Sequence, residues 1–534
     1  MTAVSPRQRP LGAQISHMLK AQGVEVIFGI PGVHNQELYR GIEEAGIRHV
    51  LPRHEQGAGF MADGYARATG RPGVVYVITG PGLTNVMTPM GQALTDAVPM
   101  LVVSSCLDPG DWGTGKGKLH EMPDQEGAAA TVSDWSRTAA DAGGAYRLIA
   151  QAFREFRAGR RAPKHVQVPL GLLAAPAPGW SDEPDLDSRF LPDPRNVMAA
   201  AEMLRRAKRP LVILGGGAAP AADAVRRLLP RLAAAAFTTY AGRGIVGPDY
   251  PLWLGSMLAR AGSQSVIASA DVVLVLGSRL SEVDIWRDEL GHTGRMIRVD
   301  IDASAPVDRA RSSYTIRADA AAFCEALEEA LGDGREVSGW TAAECAAARA
   351  RWRAEVDAER PGIVPVCDAL RATLPAETMV YSDMTQFAYA AKEVWDMPAP
   401  GLWHHPFGFG TLGYALPAAI GGKVGRPDVP VLAIAGDYGF QYTVQELATA
   451  VELGLPLPIL LWDNDRLGEI EASMIRAQIA PNAVTLRNPD FLALARAYGA
   501  GAVEPGSLDD LCSAARAAFS APGPTLIRVR PGIA

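Results

Sequence analysis

Residues 431–464 read VLAIAGDYGFQYTVQELATAVELGLPLPILLWDN. An apolar, β-branched run (431–435) stops at Gly436-Asp437-Tyr438-Gly439, a helical stretch follows over 443–453, and a second apolar run (457–462) stops at Asp463-Asn464. A strand, a helix and a strand of these lengths close right-handed into parallel neighbours, so Asp437 and Asn464 are expected side by side at two adjacent strand ends. The same grammar recurs outward from this stretch. Residues 24–28 form a strand run ending in Gly29-Ile30-Pro31-Gly32, 36–44 a helix, 47–51 a strand, 55–68 a helix stopped by Gly70, and 74–78 and 100–104 further strands. Short apolar runs alternating with amphipathic helices are the pattern of parallel α/β layers, buried on both faces.

At 534 residues and roughly 150 residues per domain, three domains are expected. The stretch AAPAPGWSDEPDLDSRFLPDPR, 174–195, is too rich in proline and acids for regular structure and reads as a linker. A second α/β unit starts with 210–214 running into Gly215-Gly216-Gly217, includes strands 272–276 and 296–299, and closes near residue 330. An Ala/Arg/Glu-rich helix (344–359), closed by Pro361, leads to a third unit with strands 379–381, 431–435, 457–462 and 525–529. The expected fold class is therefore α/β: three doubly wound parallel-sheet domains over 1–175, 195–332 and 355–534.

Lys and Arg number 51 against 58 Asp and Glu, a formal net charge of −7, so no chain-wide positive field draws in nucleic acid. A content of 48% hydrophobic and 20% charged residues suits a chain with large cores. Five scattered cysteines (Cys106, Cys324, Cys345, Cys367, Cys512) form no C-x-x-C and suit a reducing, cytoplasmic setting. The N-terminal MTAVSPRQRPLGAQ has no apolar export core, and no apolar run approaches the roughly 20 residues of a membrane span.

Four short matches mislead. Gly110 to Lys116 has phosphate-loop spacing, but Gly117 stands where a Ser or Thr would hold magnesium. Gly408-x-Gly410-x-x-Gly413 has dinucleotide spacing, but His404-His405-Pro406 precedes it where a strand is required. His54-Glu55 opens a zinc-protease motif whose second histidine position is Ala58. His404-His405 has no companion ligands nearby in sequence, so packing or a polar network is the better reading.

Two constellations carry chemistry. Asp437 and Asn464 are hard oxygen donors that either cap their turns or hold a Mg²⁺ whose octahedron is completed by phosphate oxygens. In Arg53-His54-Glu55-Gln56-Gly57-Ala58 a carboxylate stands at a strand-to-helix junction amid small residues, either as a helix-start acid or as a functional group.

Taken together with Gly410-Thr-Leu412-Gly413-Tyr-Ala-Leu-Pro417, these segments resemble the thiamine-diphosphate enzymes of the acetolactate synthase and 2-oxoacid decarboxylase superfamily, over nearly the whole chain. The resemblance implies pyrimidine-binding, central and diphosphate-binding domains in that order. It implies that Glu55 hydrogen-bonds N1′ of the aminopyrimidine and favours the imino tautomer, whose N4′ removes the thiazolium C2 proton. Leu412 would prop the coenzyme in its bent form, and the Gly410 carbonyl would take the N4′ hydrogen bond. Asp437, Asn464 and the backbone oxygen of Arg466 would hold Mg²⁺, with Thr385, Gln386, Gly436, Tyr438 and Gly439 lining the diphosphate. Pro81, Gly82 and Asn85 would lie by the pyrimidine. Because the family sets the Glu-bearing domain of one subunit against the diphosphate domain of another, a homodimer is the smallest unit implied, with a homotetramer left open. This chain departs from the pattern at Tyr438, a glycine in the commoner Gly-Asp-Gly, and at Asp463, an asparagine in the commoner pair. Neither departure removes a side-chain ligand. In the central domain Gly215 to Gly217 and Arg279 do not decide whether FAD is bound.

Segments 31–40, 53–67, 119–125, 382–386 and 436–443 look most like 5-guanidino-2-oxopentanoate decarboxylases of arginine catabolism. That resemblance implies a small-molecule 2-oxoacid substrate, decarboxylated to 4-guanidinobutanal and CO₂. A guanidinium tail calls for a carboxylate, ideally bidentate. Glu469 falls where related decarboxylases shape the substrate pocket, with Glu471, Glu121 and Asp124 as alternatives. His34 and His120 lie in segments that approach the coenzyme and could handle protons near neutral pH. The competing expectations are an acetolactate synthase-like carboligase and a catalytically silent scaffold of the same fold.

Overall fold

A computed structural model describes residues 8–181, 190–302, 313–332 and 338–533. Residues 182–189 of the proline-rich stretch 174–195, and residues 1–7 of the N-terminal segment, fall outside that range. Three six-stranded sheets, each parallel throughout, carry the chain. The first runs, in spatial order, Arg48–Val50, Val26–Gly29, Gly73–Val77, Met100–Cys106, Lys164–Pro169 and Trp135–Thr138. Numbered along the chain this is 2-1-3-4-6-5. The last sheet repeats that order with Trp403–His404, Met379–Ser382, Val431–Gly436, Pro458–Trp462, Thr525–Val529 and Gly501–Val503. Between them the central sheet has the order 3-2-1-4-5-6, with Pro210–Leu214 and Val272–Leu276 in its middle.

The outer two sheets are joined through a pair of helices that occupy the same place in each, after the second strand. Glu55–Thr69 begins with a cap in which the His54 ring accepts from the Gln56 amide, and ends at Gly70 with φ +72°. It crosses Ala415–Gly425 at two glycines. A methyl group at Gly64 would lie 2.0 Å from the Ala418 carbonyl oxygen, and one at Gly421 would lie 1.9 Å from that of Met61. Hydrogen replaces the side chain at both positions so that the backbones can meet. One apolar core consequently runs through both domains, from Phe28, Phe60 and Val75 to Tyr381, Ile459 and Phe491. Polar ties flank it. Tyr414 donates to Asp63 (2.7 Å), Tyr381 donates to the Gly64 carbonyl (2.9 Å), and Arg67 bridges Asp63 and Asp96.

The helix expected over 443–453 is present as Glu446–Glu452, and an additional short helix, Asp437–Tyr442, starts directly on the strand end before it. The helix expected over 36–44 stops at Tyr39. Its continuation presses on the first helix, Leu11–Ala21, where a methyl group at Gly41 would lie 2.5 Å from the Ala13 carbonyl oxygen, and Gly46 turns the chain with φ +68°. Trp403–His404 is a strand, contrary to the expectation that none precedes Gly408. The chain then bends through Gly410 (φ +67°) and Gly413 (φ +82°) before its helix begins at Ala415. The phosphate-loop look-alike leads into no helix; Gly113, Gly115 and Gly117 all take positive φ. In the central domain Gly215 and Gly217 let two loops touch, since a methyl group at Gly215 would lie 2.2 Å from the Gly277 carbonyl oxygen.

Candidate active site in two half-sites

The carboxyl ends of the outer sheets each gather a group of polar side chains. In the first domain Glu55 is the opening residue of its helix and is half-buried. Asn85, one turn into Pro81–Thr95, donates to its carboxylate at 2.9 Å. Gly82 faces the same carboxylate, with room for no large side chain between them: a methyl group there would stand 3.5 Å from the Glu55 oxygen. The buried Tyr39 hydroxyl has no hydrogen-bond partner among the described residues, and burial, then Tyr76 and Glu55, hold its pKa far above the usual range.

His34 and His120 meet edge to face, ring centres 4.8 Å apart, over the turn at Gly80. His120 takes φ +64°, and its carbonyl would lie 2.8 Å from a methyl group at Gly80. Burial and the neighbouring His120 lower the pKa of His34. The Nδ1 atoms of both rings are buried without partners among the described residues. Gln125 fixes the turn by accepting from the Gly80 amide (2.9 Å) and donating to the Ser105 carbonyl (2.8 Å).

In the last domain the strands bearing Asp437 and Asn464 are hydrogen-bonded neighbours, with Gly436 opposite Trp462. Asp437 is 2% exposed, and burial raises its pKa against the donation of Asn488. The Asn464 amide donates to Gln386 at 2.9 Å. The Asn464 carbonyl accepts from the Arg466 side chain at 3.3 Å. Gly436 and Gly439 are cradle positions: methyl groups there would stand 2.9 Å from the Thr385 hydroxyl and 2.9 Å from Asp383. The Leu412 side chain lies 3.5 Å from the same point over Gly439. Thr385, Gln386, Leu412, Gly436, Asp437, Gly439 and Asn464 are thus one cluster. Tyr438 is the second residue of the helix that Asp437 opens, its ring 5.4 Å from that of Tyr442.

Three side chains that sequence reasoning missed hold this cluster in shape. Asp383, 1% exposed, accepts from the amides of Met384 and Gly413, which sets the bend at Gly410 to Gly413; burial pushes its pKa up to about 6. Asn488 donates to Asp437 (2.8 Å) and Asp463 (2.9 Å), so one amide bridges two strand ends. Glu446 reaches across to the first domain, where it accepts from the amides of Arg53 and His54 at 3.1 Å and so fixes the start of the Glu55 helix; burial raises its pKa to about 7. A methyl group at Gly57 would collide with it at 2.2 Å. The Asn-Pro turn at 488–489 and the acid in SDMTQ were the only local signals.

The candidate acids are each engaged. Glu469 receives the Arg360 guanidinium through two bonds of 2.8 and 3.1 Å. Glu471 pairs with Arg466 at 3.1 Å, Glu121 accepts from the amides of Gly115 and Lys118, and Asp124 caps a short helix through Gly127. Among the four, Glu469 is the one whose partner is a guanidinium in fork geometry. His404 and His405 are buried, and burial above all lowers the pKa of both; His405 shares a hydrogen bond of 3.0 Å with Ser382.

The second half-site is a fit for a Mg²⁺-bridged diphosphate: a buried carboxylate, an amide oxygen on the adjacent strand end, a hydroxyl, and glycines where side chains would intrude. The first half-site offers a hydrogen-bonded carboxylate and unpartnered ring nitrogens to a polar heterocycle. Domain models of thiamine pyrophosphate enzymes match in order: the N-terminal TPP-binding domain over 9–128, the central domain over 197–327 and the C-terminal TPP-binding domain over 383–529. The chain is 46% identical over 522 residues to a protein described as a probable 2-ketoarginine decarboxylase from Pseudomonas aeruginosa, covering 97% of this chain and 93% of that one. It is 31% identical over 531 residues to the large subunit of acetolactate synthase isozyme 2 from Escherichia coli, covering 97% and 95%. To the mitochondrial acetolactate synthase catalytic subunit of Saccharomyces cerevisiae it is 28% identical over 559 residues, covering 97% and 80%.

Proposed function

Because the chain belongs to the thiamine pyrophosphate enzyme family, and is a thiamine-diphosphate-dependent 2-oxoacid decarboxylase, we propose that its substrate is 5-guanidino-2-oxopentanoate, released as 4-guanidinobutanal and CO₂. When bound, thiamine diphosphate supplies a nucleophilic thiazolium carbon and an acceptor for the electrons of the departing carboxylate. In this reading Glu55, oriented by Asn85, holds a proton against the pyrimidine ring, with Pro81 and Gly82 as the wall beside it. Leu412 and the Gly410 carbonyl position the coenzyme rings. Asp437, Asn464 and the Arg466 carbonyl hold Mg²⁺, and Thr385, Gln386, Gly436, Tyr438 and Gly439 receive the diphosphate. His34 and His120 stand together as proton-handling groups.

The observation that carries the substrate is Glu469, whose carboxylate already accepts a guanidinium by its two oxygens. Support for a dimer comes from the rims. Val33 (65% exposed) and Leu119 (60%) flank the two histidines, while Tyr442, Ile470, Ile475 and Ile479 stand exposed around the Mg²⁺ half-site. Exposed apolar side chains rimming both half-sites suit mutual coverage by a second copy. No helix among the described residues is long and apolar enough to cross a membrane.

The test is direct. Purified protein with Mg²⁺ and thiamine diphosphate is given 5-guanidino-2-oxopentanoate, and products are read by mass spectrometry. The expected product is 4-guanidinobutanal. A longer hydroxyketone whose yield rises with an added acceptor identifies a carboligase instead, and failure to bind the coenzyme by calorimetry identifies a silent scaffold.

A further inference from the structure

Resting on the reading of Glu469 as the acid for the substrate's tail, we infer that Arg360 is a resident guanidinium that occupies the tail's seat in the empty enzyme and is exchanged for it on binding. Arg360 directly follows the long connector helix Ala342–Glu359, at the junction of central and last domains. Its Nε and one terminal nitrogen donate to the two Glu469 oxygens at 2.8 and 3.1 Å, the planar fork that distinguishes a guanidinium from an ammonium. Its remaining terminal nitrogen donates to Glu359 at 3.1 Å. The guanidinium carbon lies 5.7 Å from the centre of the Tyr389 ring, which walls one side of the seat.

Charge accounting favours exchange over filling. Glu469 is 23% exposed and Arg360 16%, so neither charge is fully solvated, and an empty seat would leave a partly buried carboxylate uncompensated. Replacing one guanidinium by another keeps it neutralised throughout. Arg360 has somewhere to go: Glu359 already holds it and is 52% exposed, so rotation toward solvent loses little. The seat also has a second cation close by. The buried Lys392 ammonium lies 4.3 Å from the centres of the Tyr240 and Tyr389 rings, and burial, with Arg243 and Arg360 adding repulsion, lowers its pKa to about 7. Exchange leaves one guanidinium in the seat, so the repulsion felt by Lys392 is the same before and after binding. An ammonium-tailed 2-oxoacid cannot reproduce the fork and so displaces Arg360 poorly. Arg360 is therefore a specificity-determining residue: it sets a threshold that a guanidinium passes and an ammonium does not.

The experiment uses the full-length holoenzyme and three substrates: 5-guanidino-2-oxopentanoate, its ammonium-tailed counterpart 6-amino-2-oxohexanoate, and uncharged 2-oxohexanoate. In Arg360→Met the KM for the guanidino acid should fall about tenfold, as expected when a competing closed state is removed. The preference for guanidinium over ammonium should shrink, and KM for 2-oxohexanoate should stay within about twofold. Guanidinium chloride, compared with equal sodium chloride, should become a competitive inhibitor of the variant. Parallel KM changes for all three substrates, with no inhibition by guanidinium, would overturn the inference and make the pair a fixed brace. If Arg360→Met does not fold, Glu359→Gln serves instead: Arg360 should then cling to Glu469 and raise KM for the guanidino acid alone, and an unchanged KM would count against exchange. Glu469→Gln separates the two readings. If it alters KM for the charged and uncharged acids equally, the tail assignment itself falls; if it discriminates while Arg360→Met does not, only the exchange falls.

Discussion

The first and last domains share one strand order, 2-1-3-4-6-5, yet present opposite chemistry at their strand ends. After its third strand the last domain places Asp437; after the corresponding strand the first domain places Thr79 and Gly80, without a charge. After the second strand the roles reverse. There the first domain opens its helix with Glu55, whereas the last domain bends through Gly410, Leu412 and Gly413 before its helix begins. One frame therefore carries a Glu55 half and, in the proposed reading, a Mg²⁺ half, and the difference lies in a handful of loop residues, as expected when function is grafted onto a fold at its strand ends. The central domain, with the order 3-2-1-4-5-6, lies outside this pairing; the apolar core on one face of its sheet is shared with the connector helix and the last domain, and that on the other face is its own.

The sharpest way to break the comparison is to remove one charge from each half. Glu55→Gln should lower kcat/KM by at least about 100-fold while calorimetry still finds Mg²⁺ and thiamine diphosphate bound. Asp437→Asn should instead weaken the Mg²⁺-dependent binding itself, by about 100-fold. If both variants lose binding alike, the division of labour between the halves is wrong. Next in size is the joint between the halves. Gly64→Ala forces a methyl group against the Ala418 carbonyl and should cost about 3 kcal/mol in denaturant unfolding, the upper end for overpacking.

A smaller effect concerns the helix after the first strand, which in the last domain (Gln386–Val394) carries buried Lys392 and in the first domain (Gln36–Tyr39) carries no buried cation. Between about pH 7 and the ordinary lysine value of 10.5, the unfolded chain binds a proton that the folded chain does not. The wild type accordingly gains stability as pH rises through that window. Lys392→Met should melt several degrees higher than wild type at pH 7, with the advantage narrowing toward pH 10; a pH-independent difference would refute the assignment. The smallest effect belongs to Asn488→Ala, which should weaken Mg²⁺ binding about threefold by freeing Asp437 and Asp463 from their shared donor, measured by titration calorimetry.

Strands buried on both faces and written in aliphatic residues, such as Val272–Leu276 and Pro458–Trp462, were legible because nothing but a parallel sheet wants such runs. Lys164–Pro169 was not, although every residue in it is buried. Its polarity is paid back by partners from elsewhere: Lys164 meets Asp134 and Glu155, and the His165 ring lies between Ser104 (2.8 Å) and Ser136 (2.7 Å). A strand whose burial depends on long-range hydrogen bonds leaves no periodic trace. Edge strands of two or three residues, Trp403–His404 and Gly501–Val503, are too short for one. The site divides in the same way. Asp437 and Asn464 could be paired from the strand-helix-strand grammar, whereas the junction left Glu55 open between a helix-start acid and a functional group, and only the resemblance of the segments taken together singled it out. Glu446 could not, because its task is defined by residues 393 positions earlier in the chain. That Glu469 would already hold a guanidinium was equally hidden, since Arg360 lies 109 residues before it.

The two glycines where the helices of the outer domains cross carry an implication for building hybrids. A chimera that takes its first domain from one relative and its last from another inherits position 64 from one parent and position 421 from the other, and each backbone is seated only if both parents have glycine at the crossing. Recombination at the intervening linker is thus governed by a pair of atoms far from the splice.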